Sequence, residues 1–384
     1  MTLITDSESL AAFCRRQEDT EFVTVDTEFL RDNSYWPKLC LVQIAGPEEA
    51  VAVDTLAEGL DIDPLVALLC DETILKVFHS GRQDLEIFYH LIGRLPAPIF
   101  DTQVAAMVCG FGDSVGYETL ARQLAGARID KASRFTDWSR RPLTERQIDY
   151  ALADVTHLRK VYRKLKKRLG ERADWLTEEM AVLTDPETYE LRPEAAWQRL
   201  KTRSRDKRHL AVVRALAAWR ESEAQARDLP RGRVLRDDQV LDIAAHRPKS
   251  AQDLARTRSL GRKFADSRQG QAVLKTIADA LALPDEALPE PPPQRELPNG
   301  LGPLVDLLKV LLRAKCEEHD VALKLVASSS DLEQIAADDK AEVRALAGWR
   351  REIFGEDALA LKHGRLALGA RDNAVELVEL EPEE

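Results

Sequence analysis

The sequence predicts an α/β domain followed by two helical ones. Three observations carry this reading. Short β-rich segments alternate with helical stretches through about residue 170, only helical periodicity remains from residue 191 onward, and a proline-rich stretch divides that helical part in two.

FVTVDTEF (22–29), CLVQIA (40–45) and AVAVDT (50–55) are β-branched or apolar runs separated by turn residues such as Gly46-Pro47, which predicts consecutive hairpin-linked strands. A helix over 62–70 leads to the strand ILKVFH (74–79), a helix over 82–92 and a short strand at Ile99 and Phe100, with helices only beyond it. The result is a mixed sheet covered by helices. In LAVVRALAAWRESEAQARD (210–228) the apolar residues recur at helical spacing. PDEALPEPPPQRELPNGLGP (284–303) is proline-rich and polar and reads as an extended linker. The expected domains are therefore 1–190, 191–283 and 304–384, the last ending in an acidic tail, ELVELEPEE, expected to fray. GRVLRDDQVLDIAAHRP (232–248) can be laid over LKLVASSSDLEQIAADD (323–339), with Val234 over Val326, Val240 over Leu332 and Ile243 over Ile335, each pair 92 apart (335 minus 243). This predicts a duplicated helical module.

Of the 384 residues, 44% are hydrophobic and 32% charged, the balance of a soluble globular chain of more than one domain. No apolar run approaches the roughly 18 residues of a membrane span, and MTLITDSESL lacks a basic-then-apolar leader. A cytoplasmic monomer without a membrane partner is expected. Five scattered cysteines without CxxC pairing argue against zinc and against a disulfide framework. The net charge of −11 argues against nucleic acid until it is divided along the chain: residues 191–283 hold 21 Lys+Arg against 11 Asp+Glu, an excess of 10.

In VTVDTEFLRD (23–32), Asp26 and Glu28 are alternate residues of a strand and share a face. Two ionised acids held so close need protons, arginines or metal. Asp84, in VFHSGRQDLEIF, falls in the first turn of a helix, where by itself it is an acid favoured by the helix dipole. In RQIDYALADVTHL, Tyr150 and Asp154 are four apart and share one helical face. Four carboxylates that converged without counterions would destabilise the fold, whereas two divalent cations would neutralise them. Hard ions such as Mg²⁺ or Mn²⁺ prefer oxygen ligands. A pair of them about 3.5–4 Å apart activates an attacking water and stabilises a leaving oxygen, which is phosphoryl-transfer chemistry.

The order DTE, HSGRQD, YALAD, with SRFTDWSRRPLTERQIDYALADV leading into the last motif, resembles the DEDD exonuclease superfamily and, within it, the bacterial ribonuclease D family. AWR, LPRGRVLRDDQVLDIA and the second helical copy resemble the helicase-and-RNase-D C-terminal (HRDC) modules that follow the nuclease there. The resemblance implies an RNase H-like fold and 3′ to 5′ hydrolysis of RNA with a free 3′ end, notably transfer RNA precursors. Asp26, Glu28, Asp84 and Asp154 match the metal-binding acids, with Asp26 the bridge between both ions. Tyr150 matches the tyrosine of the DEDDy branch; the other branch has histidine five residues before the last acid, where this chain has Asp149. A phenol with a pKa of about 10 is a poor base at neutral pH, so Tyr150 is expected to orient the nucleophile.

Around these motifs, His79 and His157 are expected to pack or to face solvent, and Asp101 to cap a helix or strand end. Gln43 is a candidate contact for a 3′-terminal nucleotide, with a structural role equally open. Lys201, Arg203, Arg205, Lys207, Arg208, Arg231, Arg233 and Arg236 are either solvated surface or trackers of phosphates, which position RNA without reading sequence. The second module is expected to brace the first. A DNA 3′ exonuclease of the same superfamily and an RNA-binding adaptor with an inactive nuclease domain are the alternatives; the presence of all four acids and the tyrosine disfavours the adaptor.

Overall fold

The computed structural model describes residues 2–130, 136–258, 260–291, 298 and 300–380. Residues 131–135 of the run before the last motif, residues 292–297 and 299 of the expected linker and the tail residues 381–384 lie outside the described residues. The chain forms two compact units, one made of Met1–Glu28, Cys40–Thr188 and Arg295–Glu384, the other of Phe29–Leu39 and Tyr189–Gln294.

The first unit is built on a mixed sheet of β1 (Thr2–Ile4), β2 (Phe22–Leu30), β3 (Lys38–Ala45), β4 (Ala50–Val53), β5 (Leu75–Phe78) and β6 (Ile99–Asp101), in the order β1-β4-β3-β2-β5-β6. β3 and β4 pair antiparallel across a tight turn, which two to five residues can close. β2 and β5, and β5 and β6, run parallel and need crossovers, supplied by α2 (Asp63–Leu69) and α3 (Arg82–Ile92). The edge strand β1 and the helix α1 (Ser7–Arg15), capped by Asp6, were not anticipated, because a three-residue strand is too short to show a period. Lys76 of β5 is fully buried, and its ammonium donates to the carbonyls of Asp71 (2.5 Å), Ile74 (2.6 Å) and Ala97. Burial pushes it down to about 8.

The helices α4 (Thr102–Val108), α5 (Tyr117–Leu120) and α6 (Glu145–Leu169) complete this layer, α6 starting from a capping box between Thr144 and Gln147. The C-terminal segment packs into the same core: Leu308, Leu312, Val326 and Ile335 share one cluster with Val108, Val161 and Tyr162. Arg350, 1% exposed, reaches Glu178 (2.6 Å) and Glu179 (3.0 Å) of α7 (Thr177–Thr184). Trp349 stacks on Trp175 with centroids 4.2 Å apart. Where a fraying tail was expected, β7 (Leu366–Arg371) and β8 (Ala374–Glu379) form a hairpin. Its two-residue turn, Asp372-Asn373, has both residues at positive φ, which matches the twist of the strands.

In the second unit, α8 (Lys207–Ala226), α9 (Arg231–Val234), α10 (Asp237–His246) and the helix Arg268–Leu281 enclose their own core of Val213, Leu216, Val240, Ile243, Val273 and Ile277. The duplication read from sequence holds locally. Helices begin at Leu323 and Ser329, each 92 positions after the starts of α9 and α10 (323 minus 231, 329 minus 237).

Candidate active site

Strand β2 supplies the first two acids. Thr24 lies on the same strand face as Asp26 and Glu28, and its hydroxyl donates to the carbonyl of Val155 on α6 (2.8 Å). Arg159, one turn further along α6, donates to the carbonyls of Phe22 (3.1 Å) and Ala45 (2.8 Å). These bonds dock α6, and with it Tyr150 and Asp154, on the face that carries the DTE acids. Thr27, at the intervening position, donates its hydroxyl to Asp84.

Asp84 is placed by a turn that only small residues allow. Ser80 adopts φ 59°, and a Cβ on Gly81 would lie 2.6 Å from that of Phe78. Asp101 accepts from the amides of Ser80 (3.1 Å) and Gly81 (2.8 Å) before α3, and from Gln103 (2.7 Å) and Val104 (3.3 Å) at the start of α4. One carboxylate thus fixes two helix starts, the capping role read from sequence. His79 packs structurally: Nδ1 lies 3.0 Å from the Thr102 hydroxyl and the ring sits 5.5 Å from Tyr117.

On α6, Tyr150 lies beside the buried Trp138, with ring centroids 6.2 Å apart. Arg141 secures the loop that carries Trp138, through Asp54 (2.5 Å) and the carbonyls of Trp138 (2.7 Å) and Cys40 (2.9 Å). Tyr117 donates to the carbonyl of Ala153, next to Asp154 (2.9 Å). Burial raises its pKa, and the charges of Asp154 and Asp26 raise it further. Sequence reading missed Thr27, Tyr117, Arg141 and Arg159. Of these, Thr27 and Arg141 sat inside quoted motifs, but a hydroxyl in a strand or an arginine in a turn leaves no pattern of its own.

The four acids share one field. Asp26 is raised well above the usual carboxylate range, first by burial and then by Asp84, Asp154 and Glu28. It keeps some accessible surface although protein surrounds it densely. Asp84, 7% exposed, is pushed up to about 7 by burial, against the pull of the Thr27 hydroxyl. Among the described residues no three His, Cys, Asp or Glu side chains form a ready-made metal cage. Asp84 accepts a hydrogen bond from the Thr27 hydroxyl. The donor set, all carboxylate oxygen, fits hard divalent cations.

The basic candidates fare unevenly. Lys201, Arg203 and Arg205 are exposed. Lys207 pairs with Glu290, Arg208 with Asp285, Arg233 with Asn33 (2.7 Å) and Arg236 with Asp238 (3.1 Å). Arg231 does not suit a phosphate contact, because both of its donor edges go to Glu221 and to Tyr35 inside the unit. Gln43 is likewise corrected: it is 0% exposed, with neither amide atom hydrogen bonded among the described residues, so no nucleotide reaches it in this conformation.

Residues 1–170 match the family model for a 3′-5′ exonuclease, and residues 209–277 match that of the HRDC domain. The chain is 52% identical over 382 residues to ribonuclease D of Granulibacter bethesdensis, covering 98% of this chain and 96% of the relative. It is 54% identical over 381 residues to that of Nitrobacter hamburgensis, covering 99% and 100%. Its fold is similar to the crystal structure of Escherichia coli RNase D, described as an exoribonuclease involved in structured RNA processing, at TM-score 0.79 and 31% identity over 94% of this chain and 98% of that one.

Sheet, acid cluster and matches together define a 3′ to 5′ exonuclease of the DEDD class, whose members depend on divalent metal ions. The chain belongs to the ribonuclease D family of exoribonucleases. No described helix is long and apolar enough to cross a membrane.

Proposed function

We propose that this chain trims structured RNAs, transfer RNA precursors among them, one nucleotide at a time from the 3′ end, using two divalent ions, Mg²⁺ or Mn²⁺, and releasing nucleoside 5′-monophosphates. The observation that supports this best is the electrical state of Asp26, a carboxylate repelled by three others with no basic side chain among the causes of its shift. Asp26, Glu28, Asp84 and Asp154 would hold the ions. When bound, the ions supply a water acidified toward neutrality and a counter-charge for the leaving 3′ oxygen. Tyr150 would present its hydroxyl to the attacking water and fix its direction toward phosphorus. The exposed Lys201, Arg203 and Arg205 meet phosphates of the RNA body and add salt-dependent affinity. The chain acts as a monomer in the cytoplasm.

Asp26→Asn and Asp154→Asn should each lower hydrolysis of a 3′-labelled RNA by at least about a thousandfold while the circular dichroism spectrum is kept. Chelation should stop the wild type, and Mg²⁺ or Mn²⁺ should restore it. Normal turnover by either variant would discredit the metal assignment.

A further inference from the structure

The strand that carries Asp26 and Glu28 does not end in the unit that contains them. The chain passes into the second unit between Glu28 and Phe29, inside β2, and returns between Leu39 and Cys40, inside β3. The connection between these strands belongs to the helical unit, and its hold there is specific. Tyr35 is 4% exposed and donates its hydroxyl to Glu221, itself 1% exposed. Arg231 closes the network through Glu221 (2.6 Å) and Tyr35 (3.0 Å), with its guanidinium 4.7 Å from the centre of the Tyr35 ring. The amides of Tyr35 and Trp36 both donate to a single oxygen of Asp228, each at 2.9 Å. Gln225 adds a bond to the Tyr35 hydroxyl (3.2 Å), and Arg233 reaches Asn33 (2.7 Å). An ion pair with its carboxylate buried and a tyrosine hydroxyl across it, plus one carboxylate bridging two consecutive amides, is far more anchorage than a surface hairpin loop needs.

We infer that Tyr35 and Asp228 are positioning residues for hydrolysis: by gripping the chain beyond Leu30, the helical unit fixes the end of β2 and hence the setting of the Glu28 carboxylate. This rests on the reading of Glu28 as a member of the acid site. β2 ends at Leu30, two residues past Glu28, and only a short connection separates it from the anchored Tyr35, which limits where that acid can stand; a displacement of about 1 Å at a metal-ligating group costs on the order of a hundredfold in rate. The helical module then does more than hold RNA. It sets the turnover number even for substrates too short to reach it.

Variants of the full chain test this. Asp228 sits at φ 48°, which glycine and asparagine tolerate. Asp228→Gly therefore removes the acceptor without backbone strain, and Asp228→Asn keeps an acceptor oxygen. Tyr35→Phe deletes only the hydroxyl. On a short unstructured RNA oligonucleotide, Asp228→Gly and Tyr35→Phe should each lower kcat about tenfold with KM held within about twofold. Hydrogen exchange at the amides of residues 26–30 should quicken by about tenfold, and Asp228→Asn should restore most of both. A wild-type kcat in Asp228→Gly overturns the proposal, whatever the exchange shows, and so does a change confined to KM. Glu28→Gln separates the two readings. If it is inactive while Asp228→Gly is normal, only the positioning role falls, whereas full activity in Glu28→Gln removes the site assignment and the proposal with it.

Discussion

Asp84 and Glu221 are both buried carboxylates, 7% and 1% exposed, yet they are held in opposite electrical states. Burial pushes Asp84 up to about 7, and the acids around it give no relief. Burial works against Glu221 as well, but Arg231, bonded through two nitrogens at 2.6 Å, and the Tyr35 hydroxyl outweigh it and hold Glu221 below its usual range. Where the chain uses a buried acid as a fastener it supplies the counter-charge itself. Among the described residues no basic side chain contributes to the shifts of Asp26 and Asp84, as expected of a site whose positive charge arrives from solution.

Removing the charge at the two places should therefore have opposite consequences. Asp84→Asn should cost at least about a thousandfold in hydrolysis, while the metal-free chain becomes no less stable to urea, because a repelled charge has gone. Glu221→Ala should lower the stability of the helical unit by about 3 kcal/mol, since Arg231 is left without its partner and only partly reaches water. If Asp84→Asn loses stability as Glu221→Ala does, the contrast between site and fastener is wrong.

A second fastener joins the exonuclease layer to the C-terminal segment. Arg350 is 1% exposed and held by Glu178 and Glu179. Arg350→Ala should cost somewhat less than the Glu221 change, about 2 kcal/mol, because Glu178 remains half exposed and can rehydrate. The loss should appear as a lower midpoint of one cooperative transition covering both the sheet and residues 302–380, since they share one hydrophobic core. Separate melting of the C-terminal segment would contradict that.

This core also marks where sequence reading stopped. The duplicated module was visible because Val234, Val240 and Ile243 repeat the helical spacing of Val326, Leu332 and Ile335. What each copy packs against was not, because periodicity records that a face is buried and not which surface buries it. The first copy closes a core of its own, and the second closes that of the exonuclease layer. The four acids could be picked out because carboxylates in apolar strands and helices are costly enough to need a reason. The contacts that set them, Thr27 on Asp84, Arg159 on Phe22 and Asp228 on Tyr35, were hidden because each joins residues 57 to 193 positions apart through side chains common at any surface.

The smallest expected effect is the one most specific to the comparison. Asp84 unfolded titrates near 3.8 and folded near 7, with Asp26 shifted the same way. The folded chain binds these protons more tightly, so the stabilisation they lend is complete below about pH 4 and is lost as pH rises through about 7. Glu221 runs the other way: its contribution is present above its unfolded pKa near 4.5 and is lost only as pH falls through its lower folded value. Between about pH 5.5 and about pH 8, Glu221 is constant and the acid site is not. In EDTA the wild type should melt roughly 2–4 °C lower at the higher pH, the change expected for about 1 kcal/mol in a domain of this size. Asp84→Asn should flatten that difference, and Mg²⁺ should raise the melting point of the wild type at the higher pH more than at the lower. An equal pH dependence in Asp84→Asn would trace the loss to other groups and leave the site without the repulsion on which its affinity for cations depends.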